Sequence, residues 1–384
     1  MDKNTLFSSF GKWISPINSL KIQEHIDELN QDKYVKKLTT KAYLLLFLHA
    51  QLHQRDGLRA IADDALHQDF QRELGFTSIS AAQLSRKNKR VDLTILTYIF
   101  MDLVHQIRSK SIFRSCSVKR DFRIVDSSSI SLCLNQYKWA TFRKSKAGIK
   151  VHLLLVFVEE NTVIPEKVVI TPAKPNDRTQ MEVLIDEKGA MYVFDRGYVD
   201  YEKWDSYCDQ GIFFASRLKK NAVIRKLESF SLPEGSAIQS DSMVLVGTPQ
   251  KRMDNVLRLI ETTDSEGNPI QIITNRFDLD AEEIGEIYRS RWKIETFFKW
   301  IKQHIRIKTF YGTSQEAVEN QVYLALISYC QLVLVSLETQ TKHSLIQLAR
   351  WLIIFLWRPS ERWVEQILRK PNRTSRGRQK KELV

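Results

Sequence analysis

Cysteine is scarce in this chain, and its spacing argues against two classes of small cysteine-rich domain. The 384 residues include four cysteines, Cys116, Cys133, Cys208 and Cys330, which lie far apart and form no CxxC pair. Zinc ribbons need such pairs, and disulfide scaffolds need many cysteines in a short chain. We therefore expect no zinc ribbon, no disulfide framework and a reducing cytoplasm as the compartment.

A secretion signal and long uninterrupted apolar runs are also missing. The first residues, MDKNTLFSSFGKW, lack the basic-then-apolar order of a signal peptide. The most apolar stretches, residues 42–50, 322–337 and 345–357, are short or interrupted by His, Ser or Gln. We expect buried helices there rather than membrane spans.

Positive charge is what the chain has in excess. Its net charge is +13 and its pI is near 9.4, whereas 43% hydrophobic and 27% charged residues are typical of a folded soluble protein. An excess of Lys and Arg favours polyanionic partners, although many proteins are basic for other reasons. The length leaves room for two or three domains, so a DNA-binding protein with a second activity is compatible with the composition.

Residues 1–118 are expected to form a helical domain, because apolar residues recur there at helical spacing. Gly75 is suited to end one helix, and Ser80 is suited to begin the next. A short helix, a turn and a second helix make a helix-turn-helix pattern, which predicts DNA contact. The alternative is an ordinary helical hairpin with a solvated basic face. The basic residues near the end of the second helix are Arg86, Lys87, Lys89 and Arg90.

From residue 119 the pattern changes, and a multidomain α+β fold is expected. Val-, Ile- and Phe-rich strands followed by alternating helices and strands predict a mixed α/β domain over residues 119–217. Residues 218–279 contain short apolar runs between turn signals, which predicts a β-rich insertion. Helical periodicity returns over residues 280–340, and residues 341–384 comprise a C-terminal helix and a basic tail.

Two aspartates directly follow apolar strands in this mixed region. Asp126 ends the run Arg123-Ile-Val-Asp, and Asp195 ends the run Met191-Tyr-Val-Phe-Asp. Carboxylates at the ends of neighbouring strands could share a divalent cation, because hard cations prefer oxygen ligands. Aspartate is also a common turn former at such positions, so each residue taken alone is a weak signal.

A third acidic residue lies in the helical pattern of residues 282–302. If these residues form one continuous α-helix, Tyr288, Arg291, Glu295 and Lys302 fall within about 60° of one another. This stripe suits a metal ligand beside a phosphodiester, although a solvated face with an Arg291–Glu295 pair would have the same spacing. The apolar residues expected to anchor the helix are Ile284, Ile287, Ile294, Phe298 and Ile301.

The spacing Tyr288-x2-Arg291-x3-Glu295-x6-Lys302 resembles the signature of the IS4-type insertion-sequence transposases. The segment Asp195-Arg-Gly-Tyr is similar to that family's second acidic motif, and the resemblance extends from about residue 120 to residue 337. It implies a ribonuclease H-like catalytic core interrupted by the β-rich insertion. It also implies that Asp126, Asp195 and Glu295 are the DDE triad.

On this interpretation the chain is a cut-and-paste DNA transposase of the bacterial cytoplasm, with no membrane partner. The triad would hold two Mg²⁺ or Mn²⁺ ions per active site, with Asp126 shared between them. Its partners would be double-stranded DNA, as terminal inverted repeats and target, and a second copy of the chain in the DNA complex. By resemblance, the second strand is cut through a hairpin. The residues expected to contact DNA near the site are Tyr288, Arg291 and Lys302, and a basic strip that includes Lys219 and Lys220 either holds terminal DNA or is merely solvated.

Three other functions remain open from the sequence: a metal-dependent nuclease that does not join strands, a DNA-binding repressor, and a tyrosine recombinase using Tyr288. Trp292 and Trp300 could stack on an extruded base, but core positions are the preferred interpretation. His152 is interpreted as an ordinary strand histidine. The serines at 127–129 are interpreted as turn residues, because no Gly-x-Ser-x-Gly elbow surrounds them.

Overall fold

The computed structural model describes residues 7–112, 122–159, 162–174, 177–219, 221–263, 267–304 and 310–369. Helices form the described N-terminal part, strands form most of the middle, and helices return from Ala281. The architecture is therefore mixed α+β, as the change of periodicity along the sequence predicts. The basic tail beyond residue 369 and Cys116 lie outside the described residues.

The N-terminal part is helical throughout its described residues. Its helices are α1 (Ser9–Ile14), α2 (Ser19–Glu28), α3 (Thr40–His53), α4 (Leu58–Asp64), α5 (Gln68–Leu74), α6 (Ala81–Arg90) and α7 (Leu93–Ile112). Helix α5 ends at Gly75, whose φ of 73° is in the left-handed region that favours glycine. Ser80 caps α6, and Gln83 completes a capping box by accepting from the Ser80 backbone. Both local predictions for this helix-turn-helix pattern are confirmed.

A single mixed sheet runs through the middle of the chain. Its strands are β1 (Phe122–Leu132), β2 (Thr141–Arg143), β3 (Lys146–Phe157), β4 (Val163–Pro172), β5 (Met191–Phe194), β6 (Phe213–Arg217), β7 (Ile224–Ser229), β8 (Ser240–Thr248), β9 (Lys251–Arg252), β10 (Leu257–Thr263) and β11 (Pro269–Thr274). The order is β2-β3-β1-β5-β6-β11-β10-β8-β7, with β4 also paired to β3 and β9 to β8. Strand β1 is parallel to β5, and β5 is parallel to β6, whereas β3 is antiparallel to β1.

The β-rich segment extends this sheet instead of forming a sheet of its own. Strand β11 pairs with β6 through Thr274 and Ala215, and β10, β8 and β7 follow in antiparallel order. The sequence did not predict β7, because its residues Ile224–Ser229 are mostly exposed and carry little apolar signal. Two short helices, α8 (Met181–Leu184) and α9 (Tyr201–Gln210), lie between the strands of the first half.

The sheet separates two apolar cores, because successive residues of a strand point to opposite faces. Ile124 and Leu153 join the larger core, which the N- and C-terminal helices complete. Val125 and Leu154 join the smaller core on the other face, together with Trp204 of α9. The position of a residue in β1 therefore decides which of two environments its side chain enters.

The C-terminal helices are α10 (Ala281–Arg289), α11 (Trp292–His304), α12 (Gln315–Thr339), α13 (Leu345–Phe355) and α14 (Ser360–Leu368). Helix α12 is long and apolar enough to cross a membrane, but 83% of its most apolar window is buried within the structure. It packs against α7, α3 and α6. The burial of α12 agrees with the predicted buried helix over residues 322–337.

Candidate active site

Asp126 and Asp195 lie side by side on neighbouring parallel strands. The last paired residues of β1 and β5 are Val125 and Phe194, and each aspartate follows its partner in this pair directly. Neighbouring strands lie about 4.8 Å apart, so the register brings the two backbones together at the point where β5 ends. The strand-end prediction is confirmed for Asp195, which directly follows β5, but it is wrong for Asp126, because β1 continues to Leu132 and Asp126 lies within it.

Gly197 sets the conformation of the Asp195 carboxylate. Asp195 caps a short 3-10 helix, Arg196–Tyr198, and its Oδ1 accepts a hydrogen bond of 2.8 Å from the Gly197 backbone N–H. A Cβ atom at position 197 would lie 2.9 Å from that same Oδ1. Any side chain at Gly197 would therefore push the carboxylate out of this position, which gives the Asp-Arg-Gly segment a physical reason.

Glu295 lies in the first turn of α11, and the helix that carries it is not continuous with Tyr288. The prediction of one helix over residues 282–302 is wrong, because α10 ends at Arg289 and α11 begins at Trp292. At the break, Ser290 Oγ donates to the Glu286 carbonyl, and Arg291 and Ile294 bond to the third residue back instead of the fourth. Such back-bonding by serine bends helices. The five apolar residues predicted to anchor the segment do lie in the core or pack against it.

Arg291 connects two of the three acidic residues. Its Nη2 lies 2.8 Å from Glu295 Oε1, and its Nη1 lies 3.4 Å from Asp126 Oδ2. Because α11 begins directly after Arg291, the guanidinium lies between the helix and β1. The Arg291 guanidinium thus contacts both Glu295 and Asp126 despite the break between α10 and α11.

Asp126 is the most perturbed acid of the group. Burial raises its pKa to about 7, and the negative charges of Asp195 and Glu295 act in the same direction. The backbone N–H of Ser127, which donates to Asp126 Oδ1 at 2.7 Å, and the charge of Arg291 oppose this rise. Repulsion from both other acids indicates that the three carboxylates share one electrostatic environment.

The three carboxylates fit a divalent cation in ligand type and in charge. Hard cations such as Mg²⁺ prefer carboxylate oxygens, and Arg291 supplies only one positive charge against three acids. Within the described residues, however, no three His, Cys, Asp or Glu side chains meet closely enough to hold one metal ion. Arg291 donates to two of the three carboxylates, so its guanidinium takes the role of a counter-cation here.

The other residues predicted at the site differ widely in exposure. Tyr288 is 5% exposed, and burial raises the pKa of its hydroxyl to about 12. Lys302 is exposed on α11, two turns beyond Glu295, and Lys219 is exposed just after β6. Lys220 lies outside the described residues.

Helix α6 presents only three of its four predicted cations to solvent. Arg86, Lys89 and Arg90 are exposed. Lys87 is buried, and its Nζ lies 2.6 Å from Asp32 Oδ1 and 2.8 Å from Thr40 Oγ1. The interpretation of Lys87 as part of a DNA-contacting face is therefore corrected: it holds α6 against the preceding helices.

A polar cluster on the opposite face of β1 escaped the sequence reasoning. Ser127 Oγ donates to Asp177 Oδ1 at 2.8 Å, and Lys150 Nζ donates to the same oxygen at 3.0 Å. The prediction that the serines at 127–129 are turn residues is wrong, because they lie within β1 and pair with β3. Asp177 carries no sequence signal, since it lies in a short 3-10 helix rather than at a strand end.

His152 and the two tryptophans have clear positions. His152 is fully buried in β3, where burial lowers its pKa to about 4, and it pairs with Ser127 on the face away from Asp126. Trp300 is half-buried, with its ring 4.7 Å from that of Tyr329. Trp292 is 64% exposed, so the preferred interpretation of both tryptophans as core residues holds for Trp300 only.

These features define an acidic site in which Arg291 bridges Asp126 of β1 and Glu295 of α11, and Asp195 follows the neighbouring strand β5. The chain matches the family described as "Transposase DDE domain" over residues 118–331, and a domain of unknown function over residues 5–77. The first match covers more than half of the chain and includes Asp126, Asp195 and Glu295. The chain belongs to the DDE transposase family.

Named relatives of this chain are transposases of insertion sequences or related proteins. It is 29% identical over 297 residues to the probable transposase for insertion sequence element IS5377 of Geobacillus stearothermophilus, covering 77% of this chain and 76% of that protein. It is 30% identical over 218 residues to the putative transposase y4zB of Sinorhizobium fredii, covering 55% and 59%. It is 21% identical over 285 residues to the putative transposase for insertion sequence element IS4SA of Synechocystis sp., covering 73% and 78%.

One solved structure is also similar. It is the cryo-EM structure of a piggyBac transposase synaptic complex with hairpin DNA, at 9% identity and a TM-score of 0.46, covering 96% of this chain and 83% of that one.

Proposed function

We propose that this insertion-sequence transposase excises and inserts its element by a cut-and-paste route, with Asp126, Asp195 and Glu295 as its catalytic carboxylates. The observation that carries the proposal is the electrostatic coupling of Asp126 to both other acids, with Arg291 bridging Asp126 and Glu295, inside the segment that matches the transposase domain. The order β4-β3-β1-β5-β6, in which β3 alone runs in the direction opposite to the other four strands, supports a ribonuclease H-like core. The Tyr288-to-Lys302 spacing supports an IS4-type member.

Asp126, Asp195 and Glu295 would hold two Mg²⁺ or Mn²⁺ ions. When bound, such ions activate the attacking oxygen and stabilise the leaving oxygen of an in-line displacement at phosphorus. The three acids must be ionised for this, and the hydrogen bond from the Gly197 N–H holds the Asp195 carboxylate in one position.

Arg291 and Lys302 are proposed to bind the DNA phosphates near the cut. Arg291 is half-buried beside two carboxylates, so its guanidinium can exchange these partners for the oxygens of a phosphodiester. Lys302 is exposed on the same helix and would act as a point charge further along the strand. Trp292, exposed next to Arg291, is available to stack on a base.

The reaction would proceed by hydrolysis at each element end, followed by attack of the freed 3′-OH on a second strand, with the second strand released through a hairpin. The exposed cations of α6 and Lys219 would contact the terminal inverted repeats, and two copies of the chain would pair the two ends in the bacterial cytoplasm. A tyrosine nucleophile is disfavoured, because the Tyr288 hydroxyl is buried and burial raises its pKa. In the DNA complex Tyr288 would instead pack beside Arg291 and the backbone at the cut.

The proposal is tested with a labelled DNA end that is already cut and carries a free 3′-OH. In Mg²⁺, the wild-type protein should join this end to a plasmid, whereas Asp195→Ala should not join it and should still bind it. Wild-type cleavage without joining would identify a nuclease. Binding without either reaction would identify a repressor, and DNA trapped covalently on the protein would identify a recombinase.

A further inference from the structure

A cavity of about 340 Å³ lies on β1 and β3, on the face opposite Asp126. Its polar lining consists of Ser129 and Ser131 of β1, Arg143 of β2, Lys150 of β3 and Lys174 after β4. Within the part of the chain that the structure describes, no carboxylate lines this cavity. Two exposed cations, Arg143 and Lys174, together with two serine hydroxyl groups, make a site for an anion beside the Lys150–Asp177 pair.

The surrounding sequence strengthens the positive charge of this cavity. Residues 127–158 contain no Asp or Glu, whereas five basic residues fall in the same stretch: Lys138, Arg143, Lys144, Lys146 and Lys150. Arg143 and Lys174 are exposed, so their charges are available to a ligand. Lys150 is half-buried and already paired with Asp177 at 3.0 Å, which fixes its ammonium at the inner end.

Gly148 keeps the strands at this cavity close together. A Cβ atom at position 148 would lie 2.8 Å from the Ile130 carbonyl oxygen, so a side chain would push β1 and β3 apart. The Gly148 carbonyl also accepts a hydrogen bond of 2.8 Å from Ala173 N–H, next to Lys174. These contacts fix the backbone of β1, β3 and residue 173 where it lines the cavity.

The position of the cavity relative to Asp126 suggests its ligand. Strand β5 pairs only with residues 122–125 of β1, so among the described residues no strand covers that edge of β1 beyond Asp126. Ser129 and Ser131 follow Asp126 by three and five residues, which is roughly 10–17 Å along a strand. A polynucleotide strand rises about 3.4 Å per nucleotide, so this distance corresponds to about three to five nucleotides.

We propose that this cavity binds a backbone phosphate of the DNA strand whose cleavage site lies at Asp126, about three to five nucleotides from the cut. The strand would pass the open edge of β1 from the carboxylate face to the cationic face. The proposal rests on the proposed function, because only a DNA strand at Asp126 fixes this distance. Arg143 and Lys174 bind the phosphate, and Lys150 forms the inner wall.

The test compares the full-length double variant Arg143→Ala/Lys174→Ala with a matched double variant, Lys342→Ala/Arg350→Ala. The control removes two exposed cations near the C-terminal helix α13. Binding to a duplex with the element end and its flank is measured without metal at several salt concentrations. Each phosphate contact contributes about 0.9 to the slope of log K against log salt, so loss of the one phosphate in the cavity should lower the slope by about 0.9 in the first variant only.

Phosphate ethylation interference locates the contact. Wild-type protein should show interference about three to five nucleotides from the cut, and the cavity variant should lose this signal while keeping interference elsewhere. Equal slopes and identical interference patterns in both double variants would overturn the proposal. If the double variant unfolds at a lower temperature, the single variant Lys174→Gln gives the same test with a slope change of about one at most.

The proposed function and the cavity can fail separately. A wild-type protein that binds the duplex but neither cleaves nor joins it in Mg²⁺ would refute the proposed chemistry. The interference pattern would still report whether the cavity contacts the backbone, measured from the end of the inverted repeat. Normal cleavage by both double variants, together with unchanged binding slopes, would support the proposed function and refute the proposed phosphate contact at the cavity.

Discussion

The acidic site and the basic face of α6 place charge in opposite ways. At the site, Asp126 is half-buried and repelled by two other acids, so its pKa rises to about 7 although Arg291 opposes the rise. On α6, Arg86, Lys89 and Arg90 stand in solvent on one helix. Buried and coupled charges respond strongly to the loss of one member, whereas exposed charges are screened and act nearly independently.

The contrast separates two kinds of function. A cluster of like charges that repel one another is costly to fold and is suited to a task that needs an external cation. A row of exposed cations costs little and provides affinity that depends on salt. Changes at the acidic site should therefore alter the chemical step, and changes on α6 should alter DNA affinity.

The largest effect is expected at Glu295. Glu295→Gln keeps the size of the side chain but removes the charge that a cation would need, so cleavage and joining should fall on the order of 10³–10⁴-fold. DNA affinity should stay within about twofold. The matched control is Glu286→Gln, an exposed glutamate on α10, which should retain activity. If both variants lose activity equally, Glu295 has no special role.

Arg291 should come next. Arg291→Gln removes the cation between Asp126 and Glu295, and we expect joining to fall about 10²-fold through the loss of phosphate binding. Arg291→Lys should restore part of the activity, because a lysine supplies charge without the two-pronged contact. The measurement is a single-turnover joining rate at saturating DNA. Full activity in Arg291→Gln would mean that the bridge seen here is structural only.

Lys87 tests the other side of the comparison, since it is the one α6 cation that is buried. Lys87→Ala removes the cation beside Asp32 and leaves that carboxylate with its hydrogen bonds from Thr40, so the free energy of unfolding should fall by about 2–3 kcal/mol. Lys89→Ala, two positions along the helix, should change it by less than about 0.5 kcal/mol. Denaturant unfolding of the two variants measures both free energies of unfolding. Equal stabilities would show that the Lys87–Asp32 pair contributes nothing.

The ease of prediction also differed between these regions, for a physical reason. Gly75 and Ser80 act on the backbone within a few residues, so their roles in α5 and α6 follow from the sequence alone. The position of Asp195 follows from an apolar strand that ends just before it, whereas the apolar run before Asp126 gives no sign that β1 continues to Leu132. Which of the four α6 cations is buried depends on Asp32 and Thr40, which are distant in the chain and give no local signal.

The break between α10 and α11 was missed for the same reason. Residues 282–302 contain no proline, and their apolar spacing suits one helix. The break depends instead on two contacts: the Ser290 hydroxyl donates to the Glu286 carbonyl, and Arg291 pairs with Asp126 of the distant strand β1. Asp177 and the cavity on β3 were missed because they arise from strand register, which sequence periodicity does not specify.

A smaller effect is expected from the exposed cations of α6. The triple variant Arg86→Ala/Lys89→Ala/Arg90→Ala should weaken binding to the element end by roughly tenfold or more near physiological salt, and the salt slope should fall by up to about 2.7. The single-turnover rate at saturating DNA should be unchanged. A normal affinity would identify the α5–α6 pair as an ordinary helical hairpin.

The smallest effect, and the sharpest contrast, is in the response to pH. Burial and the neighbouring acids raise the Asp126 pKa from 3.8 to about 7. Below pH 7 a bound proton competes with a bound cation, so Mn²⁺ affinity measured by calorimetry should rise by up to about tenfold from pH 6 to pH 7 and then level off. DNA affinity without metal should not follow this curve.

The stability of the fold should change with pH in the opposite direction. The folded state holds the Asp126 proton to higher pH than the unfolded state, so the metal-free free energy of unfolding should fall from about pH 4 to pH 7. Asp126→Asn should flatten that fall, and a wild-type curve that is already flat would mean that Asp126 ionises like an exposed aspartate and that the three acids do not share one environment.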